Sequence, residues 1–164
     1  MTCGIYRTLL LALLLTGCQT SPSWQVTHLE GQDPIYDSAR LSYPVRDIVN
    51  EIGVEMICTQ GQVNTYLEVH SHAIPSYQGN PTQARVALKI DGKTTPGIAL
   101  RREGGQRVRL PSSLHELLVE ALKQKRPVTI LLDGYSTTLD ANHFAKHYET
   151  LLSKPFKLPF KSYG

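Results

Sequence analysis

Apolar and polar residues alternate along much of this chain with a period of two, the period of a strand with one buried face. Trp24 to Leu29 predicts a first strand, followed by a loop from Glu30 to Ser42 with Gly31, Asp33 and Pro34. Val45, Ile48, Val49 and Ile52 fall at i, i+3, i+4 and i+7. With Pro44 before them and Gly53 after, they predict a short helix over 44–52. Val54–Thr59 and Val63–Ile74 then read as strands joined at Gly61-Gln62, with Val63, Thr65, Leu67 and Val69 on one face. Pro75 to Pro81 reads as a loop. Ala84–Ile90 places Val86, Leu88 and Ile90 on one face and ends at the turn Asp91-Gly92. Ile98–Arg102 and Arg107–Leu110 make a second hairpin around Gly104-Gly105.

Two helices follow. One spans about 114–125, with Leu114, Leu117, Leu118, Ala121 and Leu122 as its apolar stripe. Ser113 and Glu116 have the spacing of a capping box, and Lys123, Lys125 and Arg126 suit the negative C-terminal end. Val128–Leu132 is a continuous apolar strand, which predicts burial on both sides, and Asp133-Gly134 turns it. The second helix begins near Asp140, shows Phe144, Tyr148, Leu151 and Leu152 on one face, and stops at Pro155. Strand-turn-strand spacing, rather than strand-helix alternation, predicts an α+β domain. Its antiparallel hairpins form a curved sheet, a sandwich or an open barrel, with two to three helices packed against it.

The N-terminus follows a different pattern. Arg7 precedes the apolar run Leu9–Leu15, and Thr16-Gly17-Cys18 closes it. A basic start, a short apolar run and small residues at its end are the parts of a secretory signal. The run is well short of the ~20 residues that span a bilayer. Leu15-Thr16-Gly17-Cys18 resembles the lipobox of a bacterial lipoprotein precursor. That resemblance implies export, cleavage before Cys18 and lipid attachment on the Cys18 sulfur and new amino group. The three acyl chains that this resemblance implies, at about 0.8 kcal/mol per buried methylene, would give lasting attachment where one chain binds only reversibly. In enteric-type sorting of such lipoproteins an aspartate after the cysteine means retention in the inner membrane, so with Gln19 there the resemblance implies the outer membrane, with the domain facing the periplasm.

Residues 1–17 are then a signal peptide, 18–23 a lipidated linker, 24–153 a single domain and 154–164 a basic, aromatic, proline-rich tail. Removing the signal leaves 147 residues, enough for one real core. Cys3 leaves with the signal and Cys18 carries lipid, so Cys58 has no partner within the domain; its apolar neighbours Met56 and Ile57 suit a buried structural thiol. An intermolecular disulfide or a nucleophile is the alternative.

Charge is segregated: 24–83 carries seven acids and two bases, whereas 84–126 carries four acids and ten bases. Two solvated faces that partly neutralise each other account for this, as does a basic surface for an acidic partner or anionic envelope polymer. Arg101, Arg102, Arg107 and Arg109 are the densest cluster, a candidate site for partners or anions. Alternation sets Arg107 and Arg109 on the face opposite Val108 and Leu110. Nucleic acid does not fit an envelope compartment. In the tail, Phe156, Leu158 and Phe160 either complete the core or, with the lysines between them, suit a membrane interface or a partner groove.

Catalytic patterns are sparse. Asp133-Gly-Tyr-Ser136 lacks the glycines that flank a nucleophile elbow. Glu116 and Glu120 share a helix face with Lys123. His143 and His147, at i, i+4, are the metal-ligand candidates, but zinc needs three or four ligands. His70 and His72 could supply two more only if the fold brought the pairs together. His143-Phe-Ala-Lys-His147 also lacks a metalloprotease glutamate. The sequence therefore calls for no catalytic residues, cofactor or metal.

The layout of lipobox, short linker, hairpins, capped helix and strand pair resembles the pilotin lipoproteins of type III secretion. That resemblance implies a non-enzymatic assembly accessory that binds a segment of an envelope protein and escorts it to the outer membrane. The additional C-terminal helix and the Pro-Phe-Lys tail depart from that layout. The alternative is a metal- or ligand-binding outer-membrane lipoprotein.

Overall fold

A computed structural model describes residues 23–29, 37–47 and 49–153. The expected signal peptide, Cys18, most of the linker and the tail lie outside these residues. Among them run β1 (Gln25–Leu29), β2 (Ser38–Tyr43), β3 (Gly53–Thr59), β4 (Gln62–Glu68), β5 (Gln83–Ile90), β6 (Lys93–Arg101), β7 (Arg107–Arg109), α1 (Ser112–Lys123), β8 (Val128–Leu132), β9 (Tyr135–Leu139) and α2 (Phe144–Leu152). The fold is α+β. All nine strands form one antiparallel sheet in the order β1-β2-β3-β4-β7-β6-β5-β8-β9.

Three hairpins close through two-residue turns whose central residues both have positive φ: Gln60-Gly61, Asp91-Gly92 and Asp133-Gly134. That geometry matches the right-handed twist of the flanking strands and favours glycine at the second position. The first turn lies one residue earlier than Gly61-Gln62, because Gln62 already pairs with Thr59.

Alternation sorts the sheet into two faces. Leu41, Val54, Met56, Leu67, Val86, Leu88, Ile130 and Leu132 point into the core. Both helices pack on that face. Leu114, Leu118, Ala121 and Leu122 carry α1 onto it, and Phe144, Tyr148 and Leu151 carry α2. Gly97 fixes the approach of α1, since a Cβ there would come within 2.6 Å of Leu114 Cδ1.

The two sheet edges, β1 and β9, share no ladder among the described residues, yet side chains draw them together. Trp24 Nε1 donates to Asp140 O (2.7 Å), Ile52 N to Thr137 Oγ1 (2.6 Å) and Asp140 N to the Tyr43 hydroxyl (3.3 Å). Trp24 also packs against Tyr43 and Phe144. The strand β7 pairs only with Leu100 and Arg101 of β6, so the earlier part of β6 is open on that side. Pro96 sits in this open stretch and, lacking an N–H, blunts it.

Several elements depart from the expected ones. Residues 38–42 belong to β2 rather than a loop, with Ala39, Leu41 and Tyr43 buried. The expected helix over 44–52 reduces to one turn, in which Glu51 N donates to Asp47 O. The Asp47 carboxylate takes the Asn50 amide and Val49 N–H, and Glu51 Oε2 takes the Arg46 and Asp47 N–H groups. These local bonds satisfy the turn and hold the Asp47 carboxyl below its ordinary value, chiefly through Asn50. β4 ends at Glu68, where its pairing with β7 runs out, so residues 70–74 are not strand.

Helix boundaries move too. α1 starts at Ser112 behind an extended Pro111 with no side-chain cap, so Ser113 lies inside the first turn and the capping box does not form. Asp140 spends its carboxylate on Asn142, which delays α2 to Phe144. Leu152 leaves the apolar stripe and is 47% exposed. β6 begins at Lys93, directly after its turn, rather than at Ile98. β8 has a neighbour on each side, but its burial alternates instead of being continuous.

Candidate functional site

The four arginines read as one patch separate into distinct environments. Arg101 pairs in register with buried Val108, so its side chain lies on the core side. Its Nε donates to Ile74 O (2.7 Å) and its Nη1 to Pro81 O (3.1 Å), tying down the 70–82 loop. Gly105 leaves room for it: φ there is +74°, and a Cβ would collide with the guanidinium. Arg107 lies on the outer face, where its Nη2 meets Glu55 Oε2 at 2.8 Å and its guanidinium covers the Tyr66 ring at 4.4 Å. Glu55 Oε1 also takes Arg40 Nη1 at 3.2 Å. One carboxylate thus bridges two cations. The structure therefore does not bring the four together as one free cluster, and two of them are structural.

Arg102 and Arg109 have no side-chain partner among the described residues. Arg109 shares the outer face with Arg85, Lys89 and Leu100, as the register Leu100↔Arg109, Arg85↔Ile98 and Lys89↔Thr94 requires. That face of β5, β6 and β7 carries Arg85, Lys89, Arg107 and Arg109 and no acid. Ile98 and Leu100, 38% and 36% exposed, lie among them. Neither helix covers it.

A polar constellation that sequence reasoning missed forms where the 70–82 loop meets the β8–β9 turn. The Tyr135 hydroxyl lies 2.6 Å from His72 Nδ1 and 2.5 Å from Ser71 Oγ, and Asp133 Oδ2 lies 3.9 Å from His72 Nε2. One proton arrangement satisfies the chain: Ser71 donates to Tyr135, Tyr135 donates to Nδ1, and Nε2–H faces Asp133. Such a chain can pass a proton between Tyr135 and Asp133, but its imidazole and carboxylate stand 52% and 39% exposed, where water screens developing charge. Ser136, the serine flagged in the sequence, lines the neighbouring groove and is not a member of the chain. The signal for this cluster was Ser71-His72 itself, but its partner Tyr135 lies more than sixty positions away and only the fold reveals it.

The remaining histidines are dispersed. His143 takes a left-handed conformation (φ 61°) at the cap before α2, so only His147 of the pair lies within the helix. His70 Nδ1 lies 4.0 Å from Glu68. Among the described residues no three His, Cys, Asp or Glu side chains converge as a metal site. His115, unremarked in the sequence, faces inward from α1, with Nδ1 2.7 Å from Thr65 Oγ1. Burial holds it below its ordinary imidazole value. Cys58 is buried and free, and burial pushes its thiol up, away from the reactive thiolate.

No protein family, curated protein or solved structure matches this chain. No helix among the described residues is long and apolar enough to cross a membrane.

Proposed function

We propose that this chain is a non-enzymatic, lipid-anchored lipoprotein of the outer membrane, and that it binds an envelope protein through the outer face of β5, β6 and β7. The partner is an extended segment bearing acidic and apolar side chains, as a secretion-system accessory would capture. The observation that supports this is that acid-free face: two unpaired cations of β5 and Arg109 of β7 surround exposed Ile98 and Leu100. Isolated exposed apolar residues are ordinary, but a row of them framed by cations of one sign fits complementary recognition. The hydrogen bonds that draw β9 toward the β1–β2 end support a sheet coiled into an open barrel, which would present this face on its outside.

Two experiments test the reading. Cys18→Ser should abolish acyl labelling and membrane fractionation; a variant that still fractionates with membranes removes the anchor from the proposal. For the surface, a synthetic peptide of alternating glutamate and leucine should bind the full chain. Arg109→Glu with Ile98→Asp should weaken that binding at least tenfold, while Lys123→Glu on α1 should leave it unchanged. Absence of binding, equal loss in both variants, or preference for anionic lipid vesicles over the peptide overturns the partner assignment.

A further inference from the structure

A groove of about 740 Å³ opens between the 74–78 segment and the outer face of β5, β8 and β9, with Ala87 and Leu131 on its floor. Tyr77 stands along it, and Arg85 enters from β5. We propose that this groove binds a carboxylate-bearing oligosaccharide, with Arg85 holding the carboxylate and the Tyr77 ring packing against a sugar face. The inference goes beyond the partner surface proposed above, with which the groove shares Arg85 but neither its floor nor Tyr77.

Three observations carry it. First, Arg85 is exposed and has no acidic or carbonyl partner among the described residues, so its planar fork is available to a ligand carboxylate. Second, Gln78, Thr94, Asp133 and Ser136 add donors and acceptors of both kinds around a small apolar floor. Sugar hydroxyls both donate and accept, whereas a wholly apolar ligand would leave these groups unpaired. Third, the floor is made of interior strands. β5 is paired on both sides by β6 and β8, and β8 by β5 and β9, so their backbone groups are spent. An extended peptide adds to a sheet through free backbone groups at an edge, and the two floor strands offer none. Recognition on this floor has to come from side chains.

The walls are already in place. Arg101 holds Ile74 at the root of the 74–78 segment. Little ordering is left for the ligand to impose, which lowers the cost of binding.

Calorimetric titration of the full chain in mild detergent tests the assignment, with tetragalacturonate and its neutral methyl ester as probes. Tetragalacturonate should bind, and the ester at least tenfold more weakly. Arg85→Gln, a surface change whose fold circular dichroism should find unaltered, should also cost at least tenfold, and Tyr77→Ala a similar factor. Arg109→Gln, on the partner face outside the groove, should bind like the parent. No binding of either probe overturns the proposal. So does equal binding of acid and ester, or an equal loss in Arg85→Gln and Arg109→Gln, which would mean diffuse attraction of any polyanion. Binding of an acidic peptide but not of the oligosaccharide, lost in Arg85→Gln, would reassign the groove to protein.

Discussion

On the sheet face turned away from both helices, the half built from β2, β3, β4 and β7 and the half built around β5 and β6 treat positive charge in opposite ways. In the first, Glu55 sits between Arg40 and Arg107, and Arg107 also lies over Tyr66, so the cations are absorbed into the cross-strand packing. In the second, Arg85 and Lys89 have no counter-charge among the described residues, and neighbouring Ile98 and Leu100 stay in water. Arg109 belongs to β7 by sequence but to the second half by behaviour. The lesson is that a run of basic residues is not one feature: register, not proximity in the chain, decides which cations a protein uses to hold itself together and which it leaves for something else.

The largest test removes the bridge. Glu55→Leu should leave two cations facing each other across the strands and cost about 2–3 kcal/mol in urea unfolding, since hydrogen bonds to charged groups contribute roughly 1.5–3 kcal/mol. A loss as small as that of an ordinary surface change would mean that the first half is no more structured than the second. Arg101→Met should cost about 1–2 kcal/mol by freeing the carbonyls of Ile74 and Pro81. Hydrogen exchange should then quicken across residues 70–82 ahead of the rest of the sheet. Uniform quickening would mean that Arg101 does not clamp that loop.

The inner face supplies a pH control that leaves these arginines untouched. His115 is held neutral by burial, so the unfolded chain binds its proton more readily than the folded one. Stability is therefore full above about pH 6.5 and falls as pH drops from there toward the lowered folded value, with a slope of at most about 1.4 kcal/mol per pH unit. His115→Gln should flatten that slope between pH 7 and 5, and an unchanged slope would move the effect to another group. The smallest expected effect belongs to the second half of the outer face. Lys89→Gln and Arg109→Gln should each shift stability by less than about 0.5 kcal/mol. A larger shift would show that these cations are structural after all.

Most strands could be read from period-two alternation, and two of the three glycine turns fell where Asp-Gly pairs stand. β2 was hidden because its burial pattern of Ala39, Leu41 and Tyr43 follows directly on a stretch rich in glycine, aspartate and proline. The 44–52 segment has helical spacing, yet Asp47 and Glu51 satisfy its backbone within a single turn, and local side-chain bonds prevail over periodicity. Pro111 takes the cap position that Ser113 would have filled. The arginine cluster was visible, but its division was not, because it rests on Glu55, Ile74 and Pro81 from distant parts of the chain. The Ser71–Tyr135–His72 contacts and the groove were invisible for the same reason.

Trp24 has a mechanical consequence. It stands immediately before an edge strand, the element that a pull on the N-terminus would otherwise peel away first. Its indole is instead buried between Tyr43 and Phe144 and bonded to Asp140, beyond the opposite edge of the sheet. A load arriving through residue 23 is thus shared between both margins of the sheet and α2. The domain should resist tugging at that point better than a hairpin unzipped from its end.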